Sequence, residues 1–169
     1  MIELGIIGAR NSGKTTLIEK LASILSSRGL RVATVKHTFH SHSFDTEGKD
    51  TFRHRQAGAR FTVGISSADM ALFASPNDEN REKFFEFLMN NCDVCLVEGN
   101  KGAKRSTILL TRKIDDLGEI SPDHIIAVYG PVNNNMERDY FPLDKTDELA
   151  DFVIGHFGLQ PKDDDHERN

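Results

Sequence analysis

The stretch Gly8-Ala-Arg-Asn-Ser-Gly-Lys-Thr-Thr16 constrains this chain more than any other. It matches G-x-x-x-x-G-K-[ST], in which glycines let the backbone turn so tightly that successive N–H groups point inward. Such a nest suits an anion, and the remaining residues specify which. Lys14 brings a full positive charge to the β- and γ-phosphates of a nucleotide, and Thr15 offers a hydroxyl to Mg²⁺. The candidate nucleotide-binding residues are therefore Gly8, Ala9, Arg10, Asn11, Ser12, Gly13, Lys14, Thr15 and Thr16, with Thr15 also a metal contact. The motif works when a strand leads into it and a helix leaves it, because the helix turns its positive end toward the phosphates.

The flanking sequence supplies both. Residues 2–7 form an apolar run that reads as a strand, and residues 15–27 place Leu17, Leu21, Ile24 and Leu25 on one helical face. Gly29 follows as a helix-ending residue. Residues 31–36, RVATVK, are rich in β-branched side chains and read as a second strand. Residues 37–48 carry several His and Ser and read as a loop, and 50–57 as a short helix. RFTVGI and ADMALFA suggest two more strands. Ser75-Pro76 then reads as the start of a helix, with Phe84, Phe87 and Leu88 on its buried face. Strands follow at 94–97, in STILLTR and in DHIIAVYG, and a last helix at 146–157 has Leu149, Phe152, Val153 and Phe157 as its stripe. Strands alternating with helices predict an α/β fold with a mostly parallel central sheet. With the phosphate motif, this is a P-loop NTPase-like three-layer sandwich. We expect one nucleotide-binding domain over residues 1–158 and a charged, frayed tail at 159–169, QPKDDDHERN lacking apolar anchors.

At 169 residues and 38% apolar content the chain can bury a real core. A net charge of −5 argues against nucleic acid as partner, and no apolar run approaches the roughly 20 residues of a membrane span. The opening MIELGIIG goes straight into a strand with an acidic residue inside it, unlike a secretory signal. Two cysteines make no disulfide scaffold, so the cytoplasm is the expected compartment.

Mg²⁺ also needs carboxylates, and in open α/β sheets these stand at the C-terminal ends of strands. Glu98 ends the apolar run CDVCLVEG and is followed by glycine. Asp45 and Asp50 lie in FDTEGKDTFRHR, where a loop sensing the γ-phosphate would fall, and either could be a second metal contact. His37 could meet phosphate or a second ligand, as could Asp50 and the basic groups Lys49, Arg53, His54 and Arg55 on one side and Lys101, Lys104 and Arg105 on the other. The spacing of His37, His40 and His42 matches no zinc pattern with cysteine partners. Cys92 and Cys95 form a C-x-x-C, but in a strand residues three apart face opposite ways, so both read as small apolar residues.

Three stretches together resemble a known family: GARNSGKTTLIEKLASILSSRGLRVATVKHT, FDTEGKDTFRHRQAGA and DVCLVEGNKG are similar to those of MobB, the molybdopterin-guanine dinucleotide biosynthesis adapter proteins. The resemblance implies a P-loop α/β homodimer that binds GTP with Mg²⁺ and hydrolyses it slowly at most. It implies action beside the guanylyltransferase and other proteins of molybdenum cofactor assembly. It assigns phosphate and metal contacts to Gly13, Lys14 and Thr15, and the acidic positions near the metal to Asp45 and Glu98. The chain departs from the family at Asn100, where an aromatic is usual, and at Arg105-Ser-Thr-Ile, where the family's strand begins Pro-Lys-Ile-Glu. It has no Asn-Lys-x-Asp guanine-reading motif, so guanine rests on the resemblance. Two other functions fit a bare P-loop: a kinase or ATP-dependent ligase acting on a small metabolite, and a nucleotide-gated interaction module with another client. The short chain shows no substrate lid of the kind the enzyme would need.

Overall fold

The computed structural model describes residues 1–38, 43–100, 102–111, 122–131 and 138–161. The chain groups into two compact units, one formed by 1–38 with 87–169 and the other by 39–86.

The first unit is built on a six-stranded sheet. Its strands are β1 (Ile2–Gly8), β2 (Val32–Lys36), β5 (Val94–Glu98), β6 (Thr107–Leu110), β7 (Ile125–Tyr129) and β8 (Asp139–Phe141). They run in the order β2-β5-β1-β6-β7-β8, every neighbouring pair parallel. This is the sheet expected from the alternation of strands and helices. β1 lies inside it because it can bury both faces: Leu4 and Ile6 point one way, Ile7 the other, and all three are buried.

Helix α1 (Lys14–Ser27) lays Leu17, Leu21 and Leu25, spaced one turn apart, on the even-numbered face of β1. Each is at most 1% exposed, and burying such a side chain is worth roughly 1.5–3 kcal/mol. The helix ends as anticipated: Gly29 adopts φ 76° and the Leu30 N–H donates to Leu25 O at 3.2 Å. Helix α4 (Thr146–Phe157) adds Leu149, Ala150 and Val153 to the same core. The opposite face carries Ile7, Leu109 and Val128, and a separate cluster of Ala33, Cys95 and Val97 on which Leu88 and Cys92 pack.

The second unit contains α2 (Asp50–Gln56) and an antiparallel hairpin of β3 (Phe61–Ile65) and β4 (Met70–Ala74). Register places Phe61, Val63 and Ile65 opposite Ala74, Leu72 and Met70, so one face of the ribbon is continuously apolar. Phe61, Val63, Ile65, Met70 and Leu72 are all exposed, Ile65 to 78%. Among the described residues, no helix is long and apolar enough to cross a membrane.

Three expectations need correction. Helix α3 (Arg81–Asn91) starts six residues after Ser75, not at Ser75-Pro76. Local side-chain bonds win there: Ser75 Oγ accepts the Asn77 N–H, and the Asp78 carboxylate accepts the Asn80 N–H while Arg60 grips it at 3.0 Å. Phe87 is 66% exposed, whereas Phe85 is half-buried. Cys92 stands at the end of α3, its N–H bonded to Leu88 O, so strand alternation does not separate it from Cys95. Both thiols are free, and burial pushes that of Cys95 up to about 11, so it stays protonated at neutral pH. The short strand β8 was not anticipated at all.

Candidate functional site

β1 runs into the phosphate motif at Gly8, whose register partner is Leu110 of β6. A Cβ on Gly8 would lie 2.3 Å from the Leu110 carbonyl oxygen, so only glycine lets the loop leave the sheet here. Asn11 (φ 58°) and Gly13 (φ 104°) both take the left-handed conformation, which turns neighbouring N–H groups toward one centre. Asparagine tolerates that region better than most side chains, and Gly13 occupies it without cost.

α1 begins directly after Gly13, with Leu17 N–H donating to Gly13 O at 3.0 Å. Among the described residues, its N-terminus has no side-chain cap and no acidic residue in its first turn. The first N–H groups of the helix therefore face outward with their partial positive charge unanswered by any carboxylate of that turn. α4 differs, carrying Asp147 and Glu148 in its first turn. The Lys14 ammonium folds back over the loop, donating to Ala9 O at 2.6 Å, Gly8 O at 3.3 Å and Ser12 Oγ at 3.5 Å. It thus lies over the cradle in which phosphate oxygens would be bound. Arg10, Thr15 and Thr16 are exposed at the rim.

Glu98 is the last residue of β5, one strand from β1, and pairs in register with Ile6 on one side and Lys36 on the other. Pairing continues past the strand ends, with His37 N–H donating to Glu98 O and Gly99 N–H to Ile6 O. The carboxylate is 16% exposed and 3.4 Å from the Lys36 ammonium, itself 53% exposed. Lys36 was not singled out from the sequence. Its pairing with Glu98 is set by strand register across 62 positions of chain, which one sequence does not display.

In the second unit, Asp45 is closed in. Its carboxylate accepts from Arg55 at 3.0 Å and from Thr51 Oγ1 at 2.9 Å, and its side chain is 4% exposed. Arg55 is sandwiched by the rings of Phe52 and Phe73 at 5.8 and 5.2 Å. Asp50 pairs with Arg53 at 3.8 Å with both side chains exposed, and Lys49 is exposed at the start of α2. Arg105 is committed to Glu3 at 3.4 Å. His37 is half-buried, and Lys101 lies outside the described residues. Among the described residues, no three His, Cys, Asp or Glu side chains group as a metal cage. The donors that suit Mg²⁺ are of another kind: a threonine hydroxyl, phosphate oxygens, water and one or two carboxylates. Thr15 and Glu98 supply protein groups of that chemistry.

The family model for molybdopterin guanine dinucleotide synthesis protein B, MobB, matches residues 3–130. The chain belongs to the MobB family. It is 35% identical over 153 residues to the molybdopterin-guanine dinucleotide biosynthesis adapter protein of Escherichia coli (strain K12), covering 85% of this chain and 86% of the relative. The corresponding adapter protein of Haemophilus influenzae is 32% identical over 161 residues, covering 91% and 90%. Two crystal structures of MobB proteins share the fold. One, of molybdopterin-guanine biosynthesis protein B, has a TM-score of 0.76 at 26% identity over 93% of this chain and 99% of its own. The other, from Bacillus subtilis, has a TM-score of 0.75 at 26% identity over 92% and 97%. Membership of the MobB family agrees with the shared fold.

Proposed function

We propose that this chain is a GTP-binding adapter in molybdopterin-guanine dinucleotide biosynthesis. It binds Mg-GTP at the P-loop, hydrolyses it slowly at most, and presents it beside the guanylyltransferase and other proteins of molybdenum cofactor assembly. The observation that carries this is the preorganised phosphate cradle: an uncapped helix start, two left-handed residues and the Lys14 ammonium folded over the loop. Thr15 and Glu98 are the protein's contacts to Mg²⁺. The adapter role follows the names of relatives that this chain matches over most of their length. The protein acts as a homodimer in the cytoplasm. The apolar face of the β3–β4 hairpin supports association, and two free cysteines suit a reducing compartment.

Calorimetric titration of GTP in the presence of Mg²⁺ tests the reading. Lys14→Ala removes the only full cation in the motif after Arg10, and GTP affinity is expected to fall about 100-fold or more, about 2.7 kcal/mol. Unchanged affinity in a folded Lys14→Ala protein would sink the P-loop assignment.

A further inference from the structure

In the second unit two polar atoms are shut away from solvent with no hydrogen-bond partner among the described residues: Arg55 Nε and Thr62 Oγ1. Both belong to the seam between α2 and the β3–β4 ribbon. A Cβ on Gly64 would lie 3.4 Å from Thr51 Cγ2, so α2 packs on the even-numbered face of β3. Thr62 stands on that face beside its register partner Phe73. One turn along α2 from Thr51, the Arg55 guanidinium lies 5.2 Å from the centre of the Phe73 ring. The helix therefore runs antiparallel to β3, with Thr51 over Gly64 and Arg55 over the Thr62–Phe73 pair. The spacing agrees, since one helical turn and two strand residues each span roughly 6 Å.

We infer that this seam binds one water molecule, which accepts the Arg55 Nε–H and bonds to Thr62 Oγ1, and that Arg55 thereby locks three elements together. A buried N–H or hydroxyl without a partner has given up its hydration for nothing. These two do not satisfy each other, because no hydrogen bond joins them. Thr62 is 7% exposed, so bulk solvent does not serve it either. The charge of the surroundings selects the ligand. A cation is repelled by the guanidinium, and an anion finds that charge already answered by the Asp45 carboxylate at 3.0 Å. Water is neutral, accepts from one atom and can donate to the other, and two such partners are enough to hold it.

The rest of Arg55 is already committed. Its Nη2 donates to Asp45 at 3.0 Å and to Ser43 Oγ at 3.2 Å, and the Phe52 and Phe73 rings cover its faces. With water on Nε, the segment at 43–45, α2 and the ribbon all hang on one side chain.

Urea unfolding of the full chain tests the site through a change of sign. Thr62→Val keeps the shape and removes the hydroxyl. With water bound, the variant leaves that water a partner short, and the unfolding equilibrium constant is expected to rise about fivefold or more. A hydroxyl that is truly alone is better replaced by a methyl group, so a lower or unchanged constant overturns the inference. Arg55→Lys keeps a cation for Asp45 and lacks Nε. In that background Thr62→Val is expected to cost nothing, and an equal cost in both backgrounds overturns the link to Arg55. Should Thr62→Val fail to fold, a crystal structure of the wild type decides. Water within hydrogen-bond distance of both Arg55 Nε and Thr62 Oγ1 is expected, and a dry seam or a direct bond between the two atoms overturns it.

Discussion

Glu98 and Asp45 look alike in the sequence: each is an acidic residue in a short stretch that suits a metal site, and each falls at a position the MobB resemblance marks. Their surroundings separate them. Asp45 is 4% exposed, gripped by the Arg55 guanidinium and a threonine hydroxyl, and its arginine is pinned between two rings. Glu98 is 16% exposed and, among the described residues, is paired with one lysine at 3.4 Å whose side chain is half in water. A carboxylate whose two oxygens are already taken by a guanidinium N–H and a hydroxyl is a clasp. One held by a long, solvated ammonium can exchange its partner for a cation at little cost, because such exposed pairs are worth only about 0–1 kcal/mol. The two residues therefore differ in availability, and the difference is measurable.

The largest effect on Mg²⁺ dependence is expected at Glu98. Glu98→Gln keeps the side chain's size and removes its charge, and the Mg²⁺ concentration needed for nucleotide binding should rise about 10- to 100-fold, roughly 1.4–2.7 kcal/mol. Thermal stability should stay within about 0.5 kcal/mol of wild type, since the pair lost is partly exposed. A Mg²⁺ titration monitored by calorimetry reads the first and a thermal melt the second, and an unshifted titration would reduce Glu98 to an ordinary strand-end residue.

Asp45→Asn should do the reverse. An amide leaves the Arg55 guanidinium without its counter-charge, and denaturant unfolding should show a loss of about 1–3 kcal/mol. Mg²⁺ dependence should be unaltered. If the Mg²⁺ titration moves as far in Asp45→Asn as in Glu98→Gln, the contrast between clasp and metal ligand collapses.

How much of this was legible beforehand depends on whether the parts are contiguous. The strand–loop–helix turn of the motif was, since the whole motif occupies nine successive residues and needs only a strand before and a helix after. β1, α1, β5 and α4 were legible because their apolar periods match what the sheet and its helices bury. Residues joined by register were not: Lys36 meets Glu98, and Tyr129 moors residues 143–146, only because strands far apart in sequence lie side by side. Ser75-Pro76 misled in a different way. It is a good helix start in isolation, but Asp78 collects the Asn80 N–H and the Arg60 fork and delays the helix to Arg81. β8 spans three residues, too short for any period to show.

The smallest effect belongs to Lys36, and it probes the exchange itself. If the ammonium occupies the Glu98 carboxylate when Mg²⁺ is absent, the metal must displace it. Lys36→Met retains the aliphatic stem and removes the competitor. Because Lys36 is half-exposed, the pair is discounted to roughly 0.5–1 kcal/mol, and Mg²⁺ should bind about two- to fivefold more tightly in the variant. The gain should shrink with added salt, since screening already weakens the pair in the wild type. In the double variant Lys36→Met with Glu98→Gln the gain should vanish, because a lysine that acts through Glu98 has nothing to act on once that charge is gone. A weaker Mg²⁺ affinity in Lys36→Met would mean that the ammonium supports the loaded site, by meeting phosphate beside the metal, and Glu98 would then be a carboxylate shared between two cations and not one passed from lysine to magnesium.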